Sequence, residues 1–138
     1  MGTIFVFSLG LLYANFMEWY VHQYFFHGFG KKQNSIFAFH LREHHIDTRV
    51  TKRETLGLLA FLSLYLPLYY AAPAFYIAMV AYGAAFVIVH KLLHIYPHIA
   101  KKYFWWHWNH HMHNQNKSWN VVFPLMDWIT GTLEKRQR

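Results

Sequence analysis

Residues 73–94 read PAFYIAMVAYGAAFVIVHKLLH, and no other segment of the sequence is as informative about the fold. It begins at Pro73 and continues to Val89 without a charged residue, and the pattern H-x3-H follows at His90 and His94. The apolar part approaches the ~20 residues that cross a bilayer as a helix. Residues four apart lie on one face of a helix. The stretch therefore predicts an apolar helix that presents two imidazoles where it leaves a membrane.

Apolar segments also precede this stretch. The first covers Thr3 to Val21, and the second begins at Leu56 and is separated from the third by prolines at 67 and 73. We expect a helical hairpin that turns near Ala71–Pro73, with each arm slightly shorter than a full span. The predicted fold is an all-α integral membrane protein with about three transmembrane helices, at about 3–21, 56–70 and 74–89. A soluble all-α domain is the alternative.

The charged residues are unevenly distributed. The chain has 13 Lys and Arg against 6 Asp and Glu, and all the basic residues lie in 22–55 or 90–138. The positive-inside rule places both segments in the cytoplasm, with the N-terminus on the other side. One multi-pass domain, 1–138, then carries a cytosolic helical cap formed by 22–55 and 90–132. The net charge of +7 flanks apolar segments and does not predict nucleic-acid binding.

Histidine is the unusual component of this cap. The chain has 12 histidines and no cysteine, so thiolate metal sites are excluded. The histidines that occur in closely spaced groups are His22 and His27; His40, His44 and His45; His90 and His94; and His107, His110 and His111. The predicted topology gathers them at one membrane face. They exceed what one ion can use, which predicts two metal ions with about five imidazoles each.

Some residues near these groups need separate interpretation. His22 and His27 are five apart and would diverge on a regular helix, but Gly28 could let the helix distort. Neutral imidazoles call for carboxylates that accept from their second ring nitrogens, and Glu18 and Asp127 are the candidates. For Asp127, a helix cap or salt bridge is an equal alternative. His98 and His113 lie outside the groups and are predicted not to bind metal.

Several motifs resemble those of a known family. EWYVHQYFFHG at 18–28, HLREHH at 40–45, HKLLH at 90–94 and HWNHH at 107–111 resemble the histidine boxes of the fatty acid hydroxylase superfamily. This superfamily includes fatty acid 2-hydroxylases, sterol desaturases and oxidases, and carotenoid hydroxylases. The closing NVVFPLMDWITGT at 120–132 is similar to the family's C-terminal stretch. One departure is the second box, where three residues, not the usual two, separate His40 from the histidine pair.

The resemblance implies a function. Its ligands would be the ten grouped histidines, holding two ions, with iron expected and zinc possible in purified protein. O₂ would be the co-substrate, a lipid the substrate, and a separate electron-transfer protein the reductant. The expected reaction is hydroxylation of a lipid C–H bond, on a fatty acyl chain near its polar end. The alternatives are a carotenoid ring hydroxylase or sterol oxygenase/desaturase, and, in another class, a haem- or metal-binding membrane protein that is not an enzyme.

Overall fold

The computed structural model of the protein describes residues 2–46, 50 and 52–136, and all regular secondary structure in them is helical. Arg49 and Arg138, which contribute to the charge pattern above, lie outside the described residues. The α-helices are α1 (Gly2–Tyr20), α2 (Lys52–Leu64), α3 (Leu68–Ala71), α4 (Pro73–Ile95), α5 (Pro97–Tyr103), α6 (Trp105–Met112) and α7 (Leu125–Thr130).

Two further helices are of the π type. The first, π1 (Val21–Gly28), continues directly from α1 and is followed by a 3₁₀ turn at Phe29–Lys31. The second, π2 (His40–Ile46), lies before α2. A π-helix forms i→i+5 hydrogen bonds and is often found at functional sites. Residues five apart therefore lie on about the same face of π1 and π2.

Two described helices are long and apolar enough to cross a membrane. They are the continuous helix Gly2–Lys31, of 30 residues, and α4, of 23 residues. Many of their large apolar side chains are exposed, among them Ile4, Phe5 and Ile88. The all-helical prediction is confirmed, and so is the presence of helices suited to a bilayer.

The predicted middle span, 56–70, is not a single helix. It is divided between α2 and α3, so that neither part has spanning length among the described residues. The reason is Pro67, which has no N–H to donate to the carbonyl four residues earlier. The chain around Pro67 forms hydrogen bonds between residues three apart, as in a turn. The Leu66 N–H donates to the Ser63 carbonyl, and the Leu68 N–H donates to the Tyr65 carbonyl.

The helices pack around α4. A Cβ atom at Gly10 would lie 2.6 Å from the Phe75 carbonyl oxygen, so the middle of α1 is in close contact with the N-terminal end of α4. Further along both helices, the Asn15 side-chain amide donates to the Tyr82 hydroxyl at 2.7 Å. These pairs show that α1 and α4 run in the same direction. Both helices therefore end at the same side of the molecule, where π1 follows α1 with His22 and His27, and where α4 carries His90 and His94.

Candidate metal centre

Nine of the ten grouped histidines come together in two adjoining, largely buried groups. Group A consists of His22, His27, His40, His45 and His110, and group B of His44, His90, His94 and His111. Within each group, the possible ligand atoms lie within 4.8 Å of one another. His107 lies beside group B, with its ring centroid 4.9 Å from that of His90 and 4.6 Å from that of His111.

The Nε2 atoms of group A are arranged as metal ligands would be. The Nε2 atom of His27 lies 3.0 Å from that of His45, and the Nε2 atom of His110 lies 3.2 Å from each of them. One N–H can point at only one neighbour, so hydrogen bonds do not satisfy such a triangle. Nitrogens bound at about 2.1 Å to one ion, at roughly right angles, would lie about 3 Å apart. The donors of group A therefore fit a bound metal ion.

Group B shows the same convergence. The Nε2 atoms of His44 and His90 lie 3.1 Å apart. The ring centroid of His44 also lies 4.5 Å from that of His94 and 4.6 Å from that of His111. His44 is thus at the centre of group B, surrounded by imidazoles from α4 and α6.

The π-helices explain how the sequence spacing produces group A. His22 and His27 are five apart on π1, and His40 and His45 are five apart on π2, and both pairs point into group A. On a regular helix each pair would diverge, as the sequence suggested for His22 and His27. The π geometry also accommodates the three residues between His40 and the following pair. His44, four residues after His40, points instead into group B.

Burial favours the neutral form of the histidines on π2 and α6. It holds the pKa of His40, His44 and His107 well below the ordinary histidine value, and neighbouring histidines lower it further. It lowers the pKa of His45 to about 3. Because metal ligation requires the neutral imidazole, the lowered pKa values of these histidines favour metal binding at neutral pH.

Backbone carbonyls orient two histidines of group A. The Nδ1 of His22 donates to the Trp119 carbonyl at 2.5 Å, and the Nδ1 of His110 donates to the Lys117 carbonyl at 2.7 Å. A carbonyl can only accept, so each Nε2 keeps its lone pair for a metal. Between these carbonyls, the buried Ser118 has a φ of 60°, which is uncommon for a residue other than glycine. This conformation directs both carbonyls towards group A.

The candidate carboxylates Glu18 and Asp127 bind this same segment. Glu18 accepts the N–H of Val121 at 2.6 Å, as well as bonds from the Tyr82 hydroxyl and the Asn120 amide. Asp127 accepts the N–H groups of Trp119 and Asn120 at 2.8 and 2.7 Å. Both carboxylates thus hold the backbone that carries the Trp119 carbonyl, and their connection to His22 runs through that backbone.

Glu54 is a buried carboxylate at the histidine groups that is not among the candidates predicted from the sequence. Its carboxylate is buried, with Oε1 3.4 Å from the Nδ1 of His40 and 3.5 Å from the Nδ1 of His44. Its Oε2 lies 3.9 Å from the Nδ1 of His90. A signal was present in the sequence, because Glu54 lies two residues before the apolar segment that begins at Leu56. The same reasoning, that an acid at the edge of an apolar segment needs a partner, had selected Glu18.

The two remaining histidines lie elsewhere. His98, at the start of α5, and His113, just after α6, are both exposed, and neither belongs to group A or group B.

Comparison with known proteins identifies no relative. No protein-family model, no curated protein and no solved structure matches this chain. The chemistry of the centre is therefore carried by its own residues, which are buried histidine groups that could hold metal ions.

Proposed function

We propose that this protein is an O₂-dependent dimetal membrane hydroxylase, with iron as the metal, that acts on a C–H bond of a lipid. The proposed substrate is a fatty acyl chain, attacked near its polar end. The observation that carries the proposal is the division of the clustered histidines into two adjoining buried groups, at the end of two apolar helices. Adjoining groups of this kind suit a pair of ions about 3.5–4 Å apart.

The residues present fit two ions. Group A would hold one ion and group B the other, with His107 beside group B as a further donor. When bound, the metal pair supplies the activation of O₂, which imidazole-ligated iron supports. The chain itself supplies neutral ring nitrogens, carbonyls that fix the orientation of His22 and His110, and a buried site that excludes water. Zinc could occupy the same imidazoles in purified protein.

The surface of the helices supports a lipid substrate. Exposed apolar side chains such as Ile4, Phe5 and Ile77 line the helices that could cross a membrane. A lipid could therefore reach the histidines from the bilayer, along α1 or α4. The proposed site is on the cytoplasmic side of a multi-pass protein, where the basic residues are concentrated.

The proposed reaction also needs a reductant. Inserting one oxygen atom of O₂ into a C–H bond, with reduction of the other to water, consumes electrons. The chain has no cysteine and hence no thiolate ligands for an iron–sulfur cluster. We therefore propose that a separate electron-transfer protein delivers the electrons.

The geometry argues against the haem-binding alternative. A haem held between two histidines has its macrocycle between their nitrogens. Here the Nε2 atoms of facing histidines are 3.0 to 3.2 Å apart, too close for a porphyrin plane to lie between them. A carotenoid ring hydroxylase or a sterol oxygenase/desaturase would use the same centre and differ only in product.

A direct experiment tests the proposal. The full chain is purified in lipid nanodiscs and loaded with Fe²⁺, then reduced chemically and exposed to ¹⁸O₂. Lipid extracts are analysed by mass spectrometry. We expect about two irons per chain, no Soret band, and a lipid product that carries one ¹⁸O atom. His98→Ala, which changes an exposed histidine, is the matched control and should retain the activity. An ¹⁸O-free product, or one tightly bound ion per chain, would contradict the proposal.

A further inference from the structure

The Glu54 carboxylate contacts histidines of both groups. Its side chain contacts His40, which belongs to group A, and His44 and His90, which belong to group B. All three contacts are made to Nδ1 atoms, on the side of each ring opposite the Nε2 that points into its group. The ion-pair contacts between carboxylates and histidine rings of the two groups that are seen in the described part of the chain all involve Glu54.

The chemistry of these contacts defines what Glu54 can do. A carboxylate oxygen accepts a hydrogen bond from the Nδ1–H group of a neutral imidazole, which fixes the tautomer in which Nε2 carries the lone pair. Such a contact also raises the basicity of the ligand and fixes the orientation of the ring. At 3.4, 3.5 and 3.9 Å, the contacts to His40, His44 and His90 are longer than ordinary hydrogen bonds, so Glu54 acts on these rings electrostatically.

The two groups differ in what contacts their Nδ1 atoms. In group A, His22 and His110 donate to backbone carbonyls, which are neutral, and only His40 contacts the carboxylate. In group B, both His44 and His90 contact Glu54. The negative charge of Glu54 therefore acts more strongly on group B.

We infer that Glu54 is a positioning residue shared by the two groups, which orients His40, His44 and His90 from their Nδ1 side and makes the two ion sites unequal in affinity. The inference rests on the proposed function only in requiring that both groups bind metal. It predicts that removing the charge of Glu54 lowers the affinity for one of the two bound metal ions more than for the other. The ion that is bound less tightly should be the one in group B.

Cobalt binding tests the inference without using activity. The metal-free full chain in nanodiscs is titrated with Co²⁺, and the visible absorption of the bound ion is followed. Glu54→Gln removes the charge at nearly constant size, and Glu54→Asp keeps the charge on a shorter side chain. The matched control is Glu43→Gln, which alters an exposed carboxylate paired with Arg53 at 2.9 Å.

We expect two equivalents in the wild-type protein. Glu54→Gln should lower the affinity for one of them by roughly ten- to a hundredfold, with a smaller loss for the other. Glu54→Asp should lose less, and Glu43→Gln should match the wild type. Unchanged binding of both equivalents by a folded Glu54→Gln protein, judged by circular dichroism, would overturn the inference. Absence of cobalt binding by the wild type would instead count against the proposed function.

A measurement on the wild-type protein covers the case in which neither variant folds. Zinc-loaded protein with ¹⁵N-labelled histidine is observed by NMR, and the Nδ1–H protons of the ligands are compared. His40 and His44, whose Nδ1 atoms face the carboxylate, should each carry the proton on Nδ1 and bind the metal through Nε2. A metal-bound Nδ1 in either residue would overturn the inference.

Discussion

His44 and His45 are neighbours in the chain, but their rings belong to different groups. The Nε2 of His45 lies 3.0 Å from that of His27 in group A, whereas the Nε2 of His44 lies 3.1 Å from that of His90 in group B. His110 and His111 are divided in the same way. Two adjacent pairs therefore connect the groups through single peptide bonds, so that a displacement of one group is transmitted to the other.

The first prediction uses this division. His45→Ala should remove a ligand from group A and His44→Ala one from group B, so each variant should lose a different ion. Because the proposed reaction needs both ions, each variant should lose hydroxylase activity. Metal content measured by mass spectrometry and lipid product formation are the readouts. His113→Ala, which alters an exposed histidine, is the control. Loss of activity in His113→Ala together with full activity in His44→Ala would contradict the assignment.

The second prediction concerns Glu18. Glu18→Gln replaces one acceptor oxygen with an amide N–H₂, so that the Val121 N–H or the Asn120 amide loses its partner. The segment that carries the Trp119 carbonyl should then shift and release His22. We expect metal affinity to fall by roughly ten- to a hundredfold. Cobalt titration measures it, with Glu43→Gln as the control. Wild-type affinity in Glu18→Gln would show that Glu18 has a purely structural role.

The histidines of the candidate centre could be predicted from the sequence, but their geometry could not. The ten histidines could be chosen from their spacing alone, because paired imidazoles at the edges of apolar segments have few structural explanations. The distribution between groups could not be predicted, since it depends on π1 and π2. A π-helix differs from an α-helix by one residue per turn in register, and no local residue pattern here specifies that difference.

The contacts of Glu54 and the break in the middle span depend on tertiary structure, which limits what the sequence can predict about them. Glu54 is distant in sequence from His90, and only the packing of α2 against α4 brings them together. The division between α2 and α3 follows from Pro67, which is visible in the sequence. Whether a proline kinks a helix or ends it depends on the surrounding contacts, which the sequence does not show. Apolar length and composition gave both helices of spanning length, because these properties do not depend on tertiary structure.

The third prediction concerns the contact between α1 and α4. A Cβ atom at Gly10 would lie 2.6 Å from the Phe75 carbonyl and 2.8 Å from the Ala78 Cβ, so Gly10→Ala should push the helices apart. We expect a destabilisation of about 1–3 kcal/mol, measured by thermal unfolding in detergent. Gly57→Ala is the matched control, because nothing lies within 4 Å of its added Cβ and it is also helical. It should be neutral or stabilising by up to about 1 kcal/mol. Equal effects of the two changes would contradict the close packing.

The fourth prediction concerns membrane topology. The chain has no cysteine, so single cysteines can be introduced without background labelling. Gly2→Cys should react with a membrane-impermeant maleimide added to intact cells, because the N-terminal end is predicted to be extracytoplasmic. Lys101→Cys, at an exposed position in α5 on the basic side, should react only after the cells are opened. Labelling of Lys101→Cys in intact cells would reverse the predicted orientation.

The last prediction concerns the carbon that is oxidised. His90 and His94 lie near the C-terminal end of α4, and His22 lies just after α1, so the proposed centre is where the apolar helices end. A lipid that keeps its headgroup in the interface would present its first few acyl carbons at this depth. Carbons at the methyl end would reach the centre only if the chain folded back, which costs conformational freedom.

We therefore expect hydroxylation near the polar end of the acyl chain, such as at the 2-position. Mass spectrometry of the fatty acids released from lipids of a host with and without the protein identifies the position. The His44→Ala variant, which lacks a ligand of group B, is the negative control. A rigid isoprenoid that spans the bilayer would present a terminal ring at the same depth, so a ring-hydroxylated product would favour the carotenoid alternative. Hydroxylation at the methyl end of a straight acyl chain would contradict the proposed depth of the centre.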